Sequence, residues 1–207
     1  MLIREAEAAG WRLDAEYVAP GADPVSSAVV HELAEGVLER VATTENPQPN
    51  LAIVRMRVDS GRLHDASLVV VADRLNDPGN FGTILRSSEA AGADLVVATP
   101  GSVDPFNPKV VRASAGAVFH VPVTTATLAE LRDAGLRIIG TSSHRGPPYT
   151  SADWSGRVSI VLGSEAQGLA DDAPVDEWVR IDHRGRAESL NVAMAATLLV
   201  FEAARHH

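Results

Sequence analysis

The chain has 207 residues, no cysteine, 45% hydrophobic residues and a formal net charge of −9. This excludes a disordered chain, a disulfide-stapled one and thiolate chemistry. It also argues against nonspecific coating of RNA or DNA, which calls for a basic protein. No apolar run reaches membrane-spanning length, and Met1-Leu2-Ile3-Arg4-Glu5 is not a signal peptide. A cytoplasmic location is therefore the expectation. The seven histidines are scattered, and none has zinc or iron spacing, so no metal is expected.

Residues 1–57 read as helix 2–9, strand 12–19, helix 27–41 and strand 51–57. A segment of this length barely supports its own core. Residues 58–66 are polar, contain Gly61 and read as a linker. From 67 to 207 short apolar runs alternate with helix-like stretches. Strands are expected at 68–72, 95–98, 118–123, 136–140, 158–162 and 179–181. Helices are expected at 81–91, with Gly92 as its stop, and at 108–114, 128–134 and 190–205. The strands are continuous Val and Ile runs rather than alternating ones, as in parallel strands buried on both faces. The fold expected is α/β, with a three-layer domain around a parallel sheet. The last helix is apolar almost all round, from Leu190 through Phe201, and should be buried against the sheet or another subunit.

Chemistry concentrates in three blocks, each where a strand gives way to a turn or helix. The first is Asn76-Asp77-Pro78-Gly79-Asn80-Phe81-Gly82-Thr83-Ile84-Leu85-Arg86. Its Asp-Pro-Gly reads as a turn and helix cap, while Asn80 and Arg86 lie on the helix that follows. The second is Leu162-Gly163-Ser164-Glu165-Ala166-Gln167-Gly168-Leu169. Gly163 either lets the backbone approach a ligand or makes a tight turn, and Glu165 either orients a ligand or is simply exposed. The third is Glu188-Ser189-Leu190-Asn191-Val192-Ala193-Met194-Ala195-Ala196, where Ser189 is a candidate cap for the last helix. Lys109, Arg112, Arg184 and Arg186 are candidate phosphate contacts in an otherwise acidic chain. Neither the dinucleotide fingerprint nor the P-loop is present, which argues against a dehydrogenase or a P-loop NTPase.

In order and spacing the three blocks resemble the motifs of the SpoU family of RNA ribose 2′-O-methyltransferases, within the SPOUT superfamily. The resemblance runs from about residue 68 to 205. It implies a trefoil-knot α/β catalytic domain, S-adenosylmethionine as methyl donor and an obligate homodimer. Carried onto this chain, it implies catalytic roles for Asn80, Arg86, Glu165, Ser189 and Asn191. It also implies that Leu162, Gly163, Gly168, Ile181 and Leu190 hold the adenosyl group, with Thr141 and Ser142 lining the same pocket. Asp182-His183 departs from the Pro-Met usual after Ile181. Residues 1–57 resemble the later part of the small RNA-binding domain that precedes the catalytic domain in many members. The earlier basic segment is missing, so either the chain is truncated or RNA is recognised differently. The activity implied is methylation of a ribose 2′-hydroxyl, ribosomal RNA before transfer RNA. The rival reading is a noncatalytic RNA-binding or assembly protein on the same scaffold.

Overall fold

The computed structural model describes residues 2–58, 60–164, 167–186 and 189–207. The chain divides into two compact units, Met1–Arg57 and Val58–His207.

In the first unit, α1 (Leu2–Ala8) precedes a three-stranded sheet of β1 (Leu13–Val18), β2 (Val30–Glu32) and β3 (Asn50–Val54), in the order β2-β1-β3. The helix expected over 27–41 is not formed. Val30–Glu32 instead adds parallel to β1, and left-handed Gly36 starts a single short helix, α2 (Val37–Val41). A strand partner outweighs the weak helix preference of Val29, Val30 and His31. The loop between β1 and β2 is tied down by Glu16, whose residue has no exposed surface. Its carboxylate accepts from the N–H groups of Val25 and Ser26 at 2.9 Å each, from Ser26 Oγ at 2.6 Å and from Asn50 Nδ2 at 2.8 Å. Burial pushes this carboxyl up, but the hydrogen bonds outweigh it and hold Glu16 below the usual carboxylate range.

The second unit is a six-stranded sheet with helices on both faces. Its strands are β4 (Leu68–Ala72), β5 (Leu95–Ala98), β6 (Val123–Thr125), β7 (Arg137–Ser142), β8 (Val158–Leu162) and β9 (Glu177–Arg180). They lie in the order β6-β5-β4-β8-β7-β9, and every pairing is parallel. Val70 stands opposite both Val96 and Ile160, so the central strand is buried from every side, as its unbroken apolar run demands. Leu68, Val70 and Ala72 share one core layer with α3 (Pro78–Ala91), α4 (Pro108–Ala113) and α6 (Val192–Ala204). Val69 and Val71 share the other with Leu131 of α5 (Leu128–Asp133) and with Leu63 of the 3-10 turn Ser60–His64. The strand expected over 118–123 is a correction. Ala117–Phe119 is a 3-10 turn entered through left-handed Gly116, and the strand begins only at Val123. Pro122 has no N–H for the ladder, although its carbonyl accepts from Val96.

The chain runs outward from β4 through β5 to β6, then returns on the other side of β4 to build β7, β8 and β9. The connection direction therefore switches between β4 and β8, and in open α/β sheets the crevice beyond such strand ends is where ligands bind.

Candidate active site

The first block leaves the end of β4. Its Asp77 side chain accepts from Asn80 N–H at 2.7 Å and Pro78 occupies the first turn, which starts α3. The turn before it is braced by a network that sequence reading missed. Thr99 Oγ1 donates to Asp73 Oδ1 at 2.8 Å and accepts from Arg74 N–H at 3.0 Å, while Arg74 Nε donates to Asp73 at 3.1 Å. Arg74 is held at a φ of 52°, which costs energy in a residue with a side chain. Thr99 lies one strand over from Asp73, so no local pattern signals this contact.

A cavity of about 530 Å³ opens beyond the ends of β7, β8 and β9. Thr141, Ser142, Leu162, Gly163, Gly168, Ile181, Leu190, Ser189 and Asn191 all line it. The fold thus gathers the whole expected cofactor set in one place, with two of the expected catalytic residues. Some of the groups are already committed: Thr141 Oγ1 donates to the Val161 carbonyl at 2.9 Å, and Ser142 Oγ accepts from the N–H groups of His144 and Arg145 at 3.3 Å.

Asn191, not Ser189, caps the last helix. Its Oδ1 accepts from Ala193 and Met194 N–H at 2.9 and 3.3 Å, and α6 begins at Val192. Its Nδ2 donates to Asn80 Oδ1 at 2.9 Å, joining the first and third blocks. Ser189 is left exposed at the cavity. Gly163 also has a firmer reason than ligand approach. A Cβ there would collide with the backbone of Gly168 and Leu169, because the second block folds back on itself through the Ser164–Gly168 bridge. Glu165 lies outside the described residues.

Arg86 is exposed on α3 and makes no hydrogen bond or ion pair among the described residues. Six residues separate it from Asn80, about 9 Å of rise and roughly 120° of turn, so the two do not share a helix face. Lys109 and Arg112 are exposed on α4, whose start Asn107 caps. Arg184 and Arg186 are exposed in the loop after β9, and Arg184 lines a second cavity of about 470 Å³. His183 lines both cavities, with its Nε2 shut away from solvent and without a hydrogen-bond partner among the described residues.

Sequence reading also missed Arg145 and Trp178. The guanidinium of Arg145 lies over the Trp178 ring, 4.1 Å from its centroid, and Nη1 donates to Asp171 at 3.1 Å. All three residues line the larger cavity. Arg145 follows β7, Trp178 lies in β9 and Asp171 sits in the loop between β8 and β9; the β7–β9 pairing brings the first two segments side by side. Among the described residues no cluster of His, Asp and Glu could hold a metal ion, and no helix is long and apolar enough to cross a membrane.

Residues 67–201 match the SpoU rRNA Methylase family. The chain is 37% identical over 177 residues to the 23S rRNA (guanosine(2553)-2′-O)-methyltransferase RlmP of Bacillus subtilis, a match spanning 82% of this chain and 70% of that protein. It is 36% identical over 196 residues to an uncharacterized tRNA/rRNA methyltransferase of Synechocystis, spanning 89% of this chain and 71% of the relative. The AdoMet-bound rRNA methyltransferase of Sinorhizobium meliloti superposes with a TM-score of 0.85 at 30% identity, covering 99% of this chain and 84% of that one. The SpoU methyltransferase AviRb of Streptomyces viridochromogenes, in complex with AdoMet, gives 0.85 at 26% identity, covering 99% and 87%. The family match over residues 67–201, a span that takes in all three blocks, together with the similarity in sequence and fold, makes this chain a member of the SpoU rRNA methylase family.

Proposed function

We propose that the chain transfers a methyl group from S-adenosylmethionine to a ribose 2′-hydroxyl of ribosomal RNA in the cytoplasm. The observation that carries this reading is the convergence of the second and third blocks on one cavity, with Asn191 bonded across to Asn80 of the first. The rRNA methyltransferase names of the relatives favour ribosomal over transfer RNA. The cavity fits the cofactor. Leu162, Leu169, Val179, Ile181 and Leu199 give apolar walls for an adenine ring, and Ser189, Asn191 and the β7 loop supply a polar rim. The Nε2 of His183 in that wall, without a partner among the described residues, suits a ligand with polar atoms.

When bound, S-adenosylmethionine supplies an electrophilic methyl group on sulfur. The residues of the chain then have to place a hydroxyl oxygen in line with it, and positioning of this kind supplies much of the rate. Asn80 accepts from Asn191 through Oδ1 and, held in this way, orients the ribose. Ser189 and Asn191 stand on the same rim. Glu165 is the acidic member of the set. Arg86 acts as an anchor rather than as the base. It grips the neighbouring phosphate through its planar fork and stabilises the alkoxide as it forms.

Lys109, Arg112, Arg184 and Arg186 contact phosphates, and the unit Met1–Arg57 is the partial RNA-binding domain. The catalytic domain is knotted, as the family resemblance implies. Two features accord with that: the pairing of Pro148 with Arg180, and the packing of Gly146 on the Trp178 carbonyl. A second copy of the chain covers α6, which leaves Met194, Leu198 and Phe201 exposed.

The test is transfer of labelled methyl from S-adenosylmethionine to unmodified rRNA and tRNA, with nucleoside analysis of the product. Label is expected in a 2′-O-methyl nucleoside of rRNA. Arg86→Ala and Arg86→Lys should both lose at least about a hundredfold in turnover, since lysine lacks the fork. Near-normal turnover by Arg86→Lys would remove the phosphate-fork role. Absence of label in any RNA would favour the noncatalytic reading.

A further inference from the structure

The geometry points to Arg145 as the residue that binds the carboxylate of the cofactor's methionine end. This rests on the cofactor reading given above. Arg145 lines the larger cavity and follows the Thr141-Ser142 turn at the end of β7. Three contacts fix it before any ligand arrives: its N–H donates to Ser142 Oγ, its Cζ lies over the Trp178 ring, and Nη1 reaches Asp171. A guanidinium held over an indole ring meets a ligand through whichever N–H groups its other contacts leave over. Nη1 is committed to Asp171, whereas Nε and Nη2 have no hydrogen-bond partner among the described residues. The Nε–Nη2 edge is the one that matches a carboxylate with two parallel hydrogen bonds.

The Asp171 tether does not cancel this. Its side chain is 99% exposed, so water screens the pair, and the cation keeps most of its reach. Arg145 itself is 36% exposed, which leaves room for an incoming anion. The rest of the lining points the same way. Leu162, Ile181 and Leu190 offer the cavity's apolar wall for adenine, and Arg145 is a cation in the same lining. S-adenosylmethionine carries a single carboxylate, at the end away from adenine.

Binding calorimetry with two probes tests this: S-adenosylmethionine, and its decarboxylated form, which keeps adenosine, sulfonium and amine. The full-length wild-type chain should bind the first about tenfold more tightly than the second. Arg145→Ala should weaken S-adenosylmethionine about tenfold and leave the decarboxylated form unchanged or slightly tighter. Arg145→Lys, which keeps the charge and loses the fork, should fall between. Trp178→Leu should also lose preference for the carboxylate, because it frees the guanidinium to wander. Equal loss on both probes would mean that Arg145 only shapes the wall, and would overturn the assignment. Unchanged binding of both, with a raised KM for RNA, would move its anion to an RNA phosphate and overturn it equally. If the wild-type chain binds neither probe, the cofactor reading fails, and this assignment with it.

Discussion

Asn191 shows how one amide serves both folding and chemistry. Its oxygen caps α6 through Ala193 and Met194, and its nitrogen fixes Asn80. The two roles separate in Asn191→Asp. A carboxylate caps a helix at least as well, and the helix dipole favours it. It has no N–H for Asn80, so that amide loses the bond that ties it to the third block. The variant should melt within a degree or two of wild type, yet lose roughly tenfold or more in methyl transfer. Calorimetric melting and a turnover assay on the same preparation check both halves, and a parallel loss of stability and activity would mean that capping is all Asn191 does. The sequence told this residue from its neighbours only in part. Ser189 and Asn191 are both good caps two residues apart, and the starting point of α6 decides between them. Arg145 was less legible still, since its significance depends on Trp178, a residue 33 positions away on another strand.

At the scale of elements, β4, β5 and β8 were legible because a fully buried parallel strand reads as a nearly continuous apolar run, broken in these three only by Ser159. Short elements at the edges were not. β2 has three exposed residues and exists because β1 offers it a partner, while β6 is delayed by Pro122. Close crossings were equally silent, and Gly163 is the sharpest of them. Its φ does not call for glycine, but a Cβ would strike the backbone of Gly168 and Leu169, which cannot swing aside as a side chain could. Gly163→Ala should therefore destabilise the chain by about 2–3 kcal/mol, in the upper range of overpacking. Gly61 also has an ordinary φ and nothing within 4 Å, so Gly61→Ala should stay within about 0.5 kcal/mol. Denaturant titration of the two variants makes the comparison. Similar midpoints would show that the second block has room to open, and the glycine would then be kept for the ligand.

At the scale of the whole molecule, the question is what the last helix is for. Its sequence is apolar nearly all round, and the fold uses only part of that. Ala193, Ala196, Leu199, Val200 and Ala203 are buried against the sheet and α3, with Thr197 bonded to Ser87 at 2.6 Å. Met194, Leu198 and Phe201 are 54%, 42% and 46% exposed, and Leu190 just before the helix is 39% exposed. Their spacing of four, four and three residues sets them on a single stripe. A stripe of four large apolar side chains in a chain of net charge −9 is the mark of a surface meant to be covered. A second copy fits, since a twofold axis lets one stripe pack on its own image. The proposed dimer also accounts for Arg86, which is exposed on α3 and is not among the described residues that line the cavity of its own chain. The double variant Leu198→Glu and Phe201→Glu puts like charges on both sides of such an axis. It should sediment as a monomer where wild type sediments as a dimer. The buried side of α6 is untouched, so unit Val58–His207 should keep its fold by circular dichroism. Methyl transfer should fall by at least about a hundredfold if the neighbouring copy completes the site. A wild-type monomer with full activity would remove the second copy from the account and leave the stripe to another partner.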